Sequence, residues 1–292
     1  MKLLFFDDYR MGVLRDGRVV DVTHALEHVD ILPPQTLMER VIEAFDSYKI
    51  RFEEIVAVEA GVSLAQVRVR APLPRPGSLL CAFSNFQDRD HTRTGPCQFF
   101  HKGAASIGGP GNTVVIPSML ESKVAQPEPE LAYVIGRPTK HVSEADALDA
   151  VFGYLNLADI SNRDIPRQGT MFLQKSLDTY APMGPVIVTK DEVPDPQDLR
   201  VRLWRNGELR QDYNTSEMVM SVAAQIAWLS RFLTLMPGDV VACGTHHVGL
   251  SPINDGDQVE MEVEGLERLG FPVKSYGPRK TAHWAPPGTR EA

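Results

Sequence analysis

The chain has 292 residues, 43% hydrophobic and 23% charged, a composition ordinary for a globular protein of one or two domains. Its net charge of −8 argues against a general affinity for nucleic acid or an anionic membrane, and no apolar stretch approaches a membrane span. Cys81, Cys97 and Cys243 are too few and too far apart for a disulfide framework or a zinc cluster; with no signal peptide at the N-terminus, a cytoplasmic protein is expected.

Residues 12–22 read as a β-hairpin turning at Asp16-Gly17. Met38, Val41, Ile42, Phe45 and Tyr48 recur at helical spacing, so one face of that segment is expected to be buried. The proline-rich stretch 71–77 marks a connector. It separates a small N-terminal α+β domain (1–75) from a larger one (76–273), and a proline-rich basic tail (274–292) closes the chain. Residues 79–83 read as a buried strand, and the polar, aperiodic segment 87–95 as an exposed loop.

The segment from Glu128 carries the chemistry. Along a strand, Glu128, Glu130, Ala132 and Val134 point one way while Leu131, Tyr133 and Ile135 point the other, so both faces are apolar and the strand is expected to be buried. Two carboxylates there are costly unless something neutralises them, and a divalent cation with oxygen ligands would do so. Glu260, Glu262 and Glu264 supply a contrast: they alternate with Val259, Met261 and Val263 as the wet face of a half-solvated strand. Asp159, at the end of the apolar run 157–161, either caps a turn or completes a three-acid set. Such a set favours Mg²⁺ or Mn²⁺, with Ca²⁺ also admissible, over zinc.

Further on, Ser143 and Asp146 predict a helix carrying Ala147, Leu148, Val151 and Phe152. Lys175 lies in an almost uncharged tract. It reads either as a surface lysine paired with Asp178 or, beside a metal, as an ammonium for a substrate carboxylate or enolate. Residues 201–209 form a second hairpin at Asn206-Gly207. A long amphipathic helix is predicted from about Glu217, burying Met218, Val222, Ile226, Leu229 and Leu233. Residues 240–243 are strand-like, and His246 and His247 read as loop residues. The pattern is α+β and mostly β, without the βαβ rhythm of a Rossmann sheet.

Taken together, Glu-Pro-Glu-Leu-Ala-Tyr-Val-Ile-Gly at 128–136, Ala-Asp-Ile-Ser-Asn-Arg-Asp at 158–164, Lys-Ser-Leu-Asp-Thr at 175–179 and Pro-Met-Gly-Pro at 182–185 resemble the fumarylacetoacetate hydrolase superfamily. So do Asn-Thr-Ser at 214–216, Leu-Met-Pro-Gly-Asp at 235–239 and Gly244-Thr245, in the same order from about 78 to 273. The resemblance implies a mixed β-roll preceded by a small N-terminal domain, usually in a homodimer. It also implies a Mg²⁺ or Mn²⁺ site at Glu128, Glu130 and Asp159, with Lys175 as the active-site lysine. Lys102, Arg163, Gln174 and Thr245 fall in its motifs as substrate-binding residues. Its substrates are small 2,4-dioxo acids or their enols. Hydrolytic members carry a His-Glu pair in a lid, and here Arg89 and Thr92 stand at those positions. His91, two residues late, is the candidate base, and His246 or His247 could substitute. Three readings follow: a C–C hydrolase of an acylpyruvate; a decarboxylase, tautomerase or isomerase using the same metal and lysine; and a silent binding module.

Overall fold

The structure, a computed structural model, describes residues 1–27, 31–87, 96–117, 124–163 and 171–276. The chain opens with a meander of β1 (Lys2–Phe6), β2 (Arg10–Arg15) and β3 (Arg18–Asp21). The β2–β3 turn consists of Asp16 and Gly17, both at positive φ (49° and 71°), whose twist matches that of the flanking strands. Helices α1 (Pro34–Glu43) and α2 (Phe45–Val58) follow, and Met38, Val41 and Ile42 are buried as their spacing predicts.

Next come β4 (Leu79–Phe83), β5 (Gln98–His101), the long strands β6 (Ala125–Ile135) and β7 (Val151–Asn162), the short helix α3 (Met171–Lys175) and β8 (Ala181–Thr189). A hairpin of β9 (Arg200–Arg205) and β10 (Glu208–Asn214) turns at Asn206-Gly207, again at positive φ. The chain continues through α4 (Val222–Leu229), β11 (Val240–Ala242), β12 (Gln258–Val263) and β13 (Leu269–Ser275).

A mixed twelve-stranded sheet runs in the order β3-β2-β1-β8-β7-β6-β11-β4-β5, with short strands at its margins. All neighbours on that path are antiparallel except β11 and β4. A five-stranded sheet is built on β10-β9-β12-β13. The large sheet separates two cores. Leu3, Phe5, Ala132, Val134, Leu155 and Leu157 pack with Met38, Val41 and Phe52 of the helix pair. Leu131, Tyr133 and Ile160 pack with Val201, Met261 and Phe271 of the second sheet. This mostly β architecture with few helices agrees with the expected fold class. No helix among the described residues is long and apolar enough to cross a membrane.

Every residue of β6 and β7 is buried, as predicted for a strand apolar on both faces. Strand β12 bears out the contrast: Val259, Met261 and Val263 are buried, while Glu260 and Glu262 are partly exposed beside Arg268 and Arg202.

Two predicted helices are corrected. Ser143 Oγ does accept the Asp146 N–H, at 3.3 Å, but it closes only a turn. A short 3₁₀ segment spans Ala147–Ala150, and Val151 and Phe152 begin β7, where the sheet ladder satisfies their backbone. The helix expected from Glu217 starts at Val222, because two caps divide the segment. Asn214 and Glu217 box a 3₁₀ turn at Thr215–Glu217, and Ser221 Oγ accepts the Ala224 N–H at 3.0 Å. Leu233 lies beyond the helix end and is 38% exposed. At the C-terminus β13 runs to Ser275, inside the stretch expected to be tail, and 277–292 lie outside the described residues.

Candidate active site

In an antiparallel pair, residues directly opposite one another share a face. The β6–β7 register sets Gln126 against Ser161, Glu128 against Asp159 and Glu130 against Leu157. The face that packs on the helix pair at Ala132 and Val134 therefore turns polar toward Gln126, and all three predicted acids stand on it. Glu128, Glu130 and Asp159 are 4%, 0% and 1% exposed, and their ligand oxygens lie within 4.8 Å of one another.

Two lysines are folded into this cluster. Helix α3 is tied to β7 where Asn162 Nδ2 donates to the Leu173 carbonyl at 2.9 Å, and it delivers the buried Lys175 side chain. The Lys175 ammonium donates to Glu128 Oε2 and Asp159 Oδ2, each at 2.7 Å, and to Ser161 Oγ, and it lies 5.4 Å from the Phe100 ring centroid. Lys102, just after β5, is likewise buried and donates to Asp159 and to the Lys175 carbonyl. Arg163 follows β7 with its side chain 26% exposed; it donates to Glu128 and, at 2.6 Å, to Gln126 Oε1.

These neighbours set the acids apart electrostatically. Burial works to raise the Glu128 pKa, but Lys175, then Arg163 and His247, outweigh it and hold the carboxyl well below its usual range. Glu130 is driven the other way, by burial first and then by the charges of Asp159 and Glu128. For Lys175, burial opposes the charge, but Asp159 and Glu128 prevail and keep it protonated.

Among the described residues Glu130 is held by one hydrogen bond, from the Gly244 N–H to Oε2 at 2.7 Å. Gly244 is needed there: its φ is +87°, and a Cβ would sit 3.1 Å from that of Asn85. The other oxygen, Oε1, is buried without a hydrogen-bond partner among the described residues. Among the described residues, three converging carboxylates, one with a buried oxygen that accepts no hydrogen bond, fit a hard divalent cation, and no His or Cys joins the set.

Thr245 is buried, its hydroxyl 3.2 Å from that of Tyr213, which in turn donates to the Pro129 carbonyl between the two glutamates. Gln174 is partly exposed on α3. His246 is partly buried, with Nε2 3.6 Å from Glu217, and His247 is partly exposed. His91, Arg89 and Thr92 lie outside the described residues. Sequence reasoning overlooked Tyr213, Ser161 as the partner of Lys175, and Gln126. The last had a usable signal, since it shares the alternation phase of Glu128 and Glu130.

The model of the fumarylacetoacetate (FAA) hydrolase C-terminal family matches residues 80–274. A maleylpyruvate hydrolase of Aquipseudomonas alcaligenes is 31% identical, with 94% of this chain and 100% of that protein covered. An oxaloacetate tautomerase of Xenopus laevis is 38% identical over 73% of this chain and 70% of its own length. The crystal structure of maleylpyruvate hydrolase from Sphingobium sp. SYK-6, in complex with manganese(II) and pyruvate, superimposes with a TM-score of 0.85 at 32% identity, covering 94% of this chain and 99% of that one. With more than half the chain inside the family match and the acidic cluster built on its central strands, the protein belongs to the fumarylacetoacetate hydrolase family.

Proposed function

We propose that the protein is a divalent-metal-dependent hydrolase of acylpyruvates, cleaving a small 2,4-dioxo acid between its pyruvate half and its acyl half. The observation that carries this reading is the buried three-acid cluster with its unpartnered Glu130 oxygen, faced by the Lys175 ammonium. Mg²⁺ or Mn²⁺ at Glu128, Glu130 and Asp159, with Ca²⁺ as a poorer substitute, would supply Lewis-acid polarisation of the 2-oxo group. Charge supports an anionic substrate. The three acids are balanced by Lys175, Lys102 and Arg163, so a divalent ion leaves an excess of two positive charges.

In the reaction, water adds to the distal carbonyl and the tetrahedral adduct collapses. The electron pair of the breaking bond goes to the pyruvate half as an enolate, and a proton then gives pyruvate beside the free acid. Lys175, fixed and protonated, stabilises the developing enolate charge without having to reorganise. Thr245, Arg163, Gln174 and Lys102 orient the substrate, and His91 serves as the general base that activates water. A second reading, proton transfer or decarboxylation of an oxo acid, is favoured by Arg89 and Thr92 standing where hydrolytic members carry His and Glu. We further propose a homodimer, a reading supported by family membership and checked by sedimentation, in the cytoplasm, a reading supported by three buried free cysteines.

The test incubates Mn²⁺-loaded protein with acetylpyruvate, fumarylpyruvate and oxaloacetate while diketone absorbance, pyruvate and CO₂ are followed. Hydrolysis gives pyruvate and free acid in equal amounts. Enol loss from oxaloacetate without either product would favour tautomerisation, and CO₂ release decarboxylation. Turnover of none would overturn the enzymatic reading.

A further inference from the structure

The polar face of β6 carries one residue that the proposed chemistry does not use. Gln126 lies one pleat beyond Glu128, opposite Ser161, and is 0% exposed. Its amide orientation is fixed, because Arg163 Nε donates to Oε1 at 2.6 Å. Nε2 is therefore turned away from the guanidinium with two N–H groups to offer, and it is buried with no hydrogen-bond partner among the described residues. An amide nitrogen left in that state carries its full desolvation penalty. The acceptors nearest in the register are engaged elsewhere: Ser161 Oγ takes the Lys175 ammonium, and Glu128 takes Lys175 and Arg163. What is missing is an acceptor brought from outside, and the partly exposed Arg163 connects this corner to solvent.

We propose that Gln126 Nε2, with the Arg163 guanidinium that aligns it, forms a subsite for a carboxylate at the far end of the substrate. Gln126 is then a specificity-determining residue, and the preferred substrates are acylpyruvates whose acyl group ends in a carboxylate rather than a methyl. The inference rests on the acylpyruvate reading, which puts the pyruvate half at the Glu128–Asp159 rung. Alternate residues on a strand are about 6.7 Å apart, roughly the span of a short acyl chain, so a chain running from that rung toward Arg163 brings its far end to Gln126. Charge agrees: of the two excess positive charges in the cation-loaded site, the carboxylate beside the 2-oxo group answers one and a second carboxylate answers the other.

The test measures calorimetric binding of 2-oxoadipate and 2-oxohexanoate to the Mn²⁺-loaded protein. Both probes have the same chain length, only the first has a terminal carboxylate, and neither has a 4-oxo group, so neither is cleaved. The wild-type protein is expected to bind 2-oxoadipate at least about tenfold more tightly, the worth of one hydrogen bond to a charged group. In Gln126→Met, of similar size but unable to donate, that ratio is expected to fall close to one. Gln126→Glu keeps an acceptor for Arg163 but replaces the donors with negative charge, and the ratio is expected to invert. Equal affinities in the wild-type protein would overturn the subsite whatever the variants do. A ratio unchanged in both variants would remove Gln126 from it. Binding of neither probe would overturn the acylpyruvate reading and this inference with it.

Discussion

Replacing Glu130 by Gln removes one of three cluster charges while keeping the shape of the side chain and an oxygen for the Gly244 N–H. Disturbing the groups behind a metal ligand already costs 10–100-fold in affinity, so loss of a ligand charge is expected to cost at least about 100-fold, or about 2.7 kcal/mol. The effect on the metal-free fold has the opposite sign. The folded-state pKa of Glu130 is raised by burial and by Asp159 and Glu128. The folded chain therefore holds that proton more tightly than the unfolded one, and its ionisation opposes folding increasingly as pH rises from the ordinary carboxylate range toward the folded value. Glutamine removes this opposition. At a hundred times the wild-type Kd, Mn²⁺ stabilises the wild-type protein by about 2.7 kcal/mol, a rise in Tm of about 4 °C for a chain of this length, and Glu130→Gln by about 0.4 kcal/mol. Thermal scans of both proteins with and without Mn²⁺ read all four states. The reasoning is refuted if the variant keeps the wild-type Mn²⁺ shift, or if it melts several degrees lower without metal.

Four further variants have expected outcomes. Lys175→Met should lower kcat by about 10²–10³-fold with a smaller change in KM, since it removes a charge that acts on the developing enolate. The same change leaves Glu128 to Arg163 and Asp159 to Lys102 with one buried positive charge fewer, so the metal-free variant should lose stability in denaturant titration, by less than the about 3–5 kcal/mol of a wholly unpaired buried charge, and recover part of it with Mn²⁺. Gly244→Ala forces a side chain into a left-handed backbone position against Asn85; a loss of about 1–3 kcal/mol with weaker Mn²⁺ binding is expected, and wild-type behaviour in both would contradict the role given to its N–H. Glu128 has a depressed folded-state pKa, so its stabilisation is present above the ordinary carboxylate value and is lost as pH falls toward the folded one; Glu128→Gln should flatten the acid limb of metal-free stability. His91→Ala should reduce acylpyruvate hydrolysis, and full turnover would remove His91 from the mechanism.

Much of the site was legible in the sequence because it obeys strand alternation. Glu128 and Glu130 announced themselves as charges on a strand with no wet face, and β6 is buried along its whole length. The cross-strand pairing of Glu128 with Asp159 was not legible, since register follows from packing across the whole sheet. Lys102, 57 residues before its partner Asp159, reached the cluster only through family resemblance, because no local pattern links them. The helix expected from Glu217 was misplaced for a different reason. Hydrophobic spacing continues through Met218 and Leu233, but the caps at Asn214 and Ser221 decide where helical hydrogen bonds begin. Gln126 escaped notice because an uncharged amide does not demand a partner as a carboxylate does, although its alternation phase with Glu128 and Glu130 places it on the same face.

Diffraction from crystals grown with Mn²⁺, recorded at the manganese absorption edge, tests the central claim most directly. One anomalous peak per chain is expected, bonded to carboxylate oxygens of Glu128, Glu130 and Asp159, with Glu130 Oε1 among them. A peak elsewhere, or none with Lys175 still bridging Glu128 and Asp159 at saturating Mn²⁺, would contradict it.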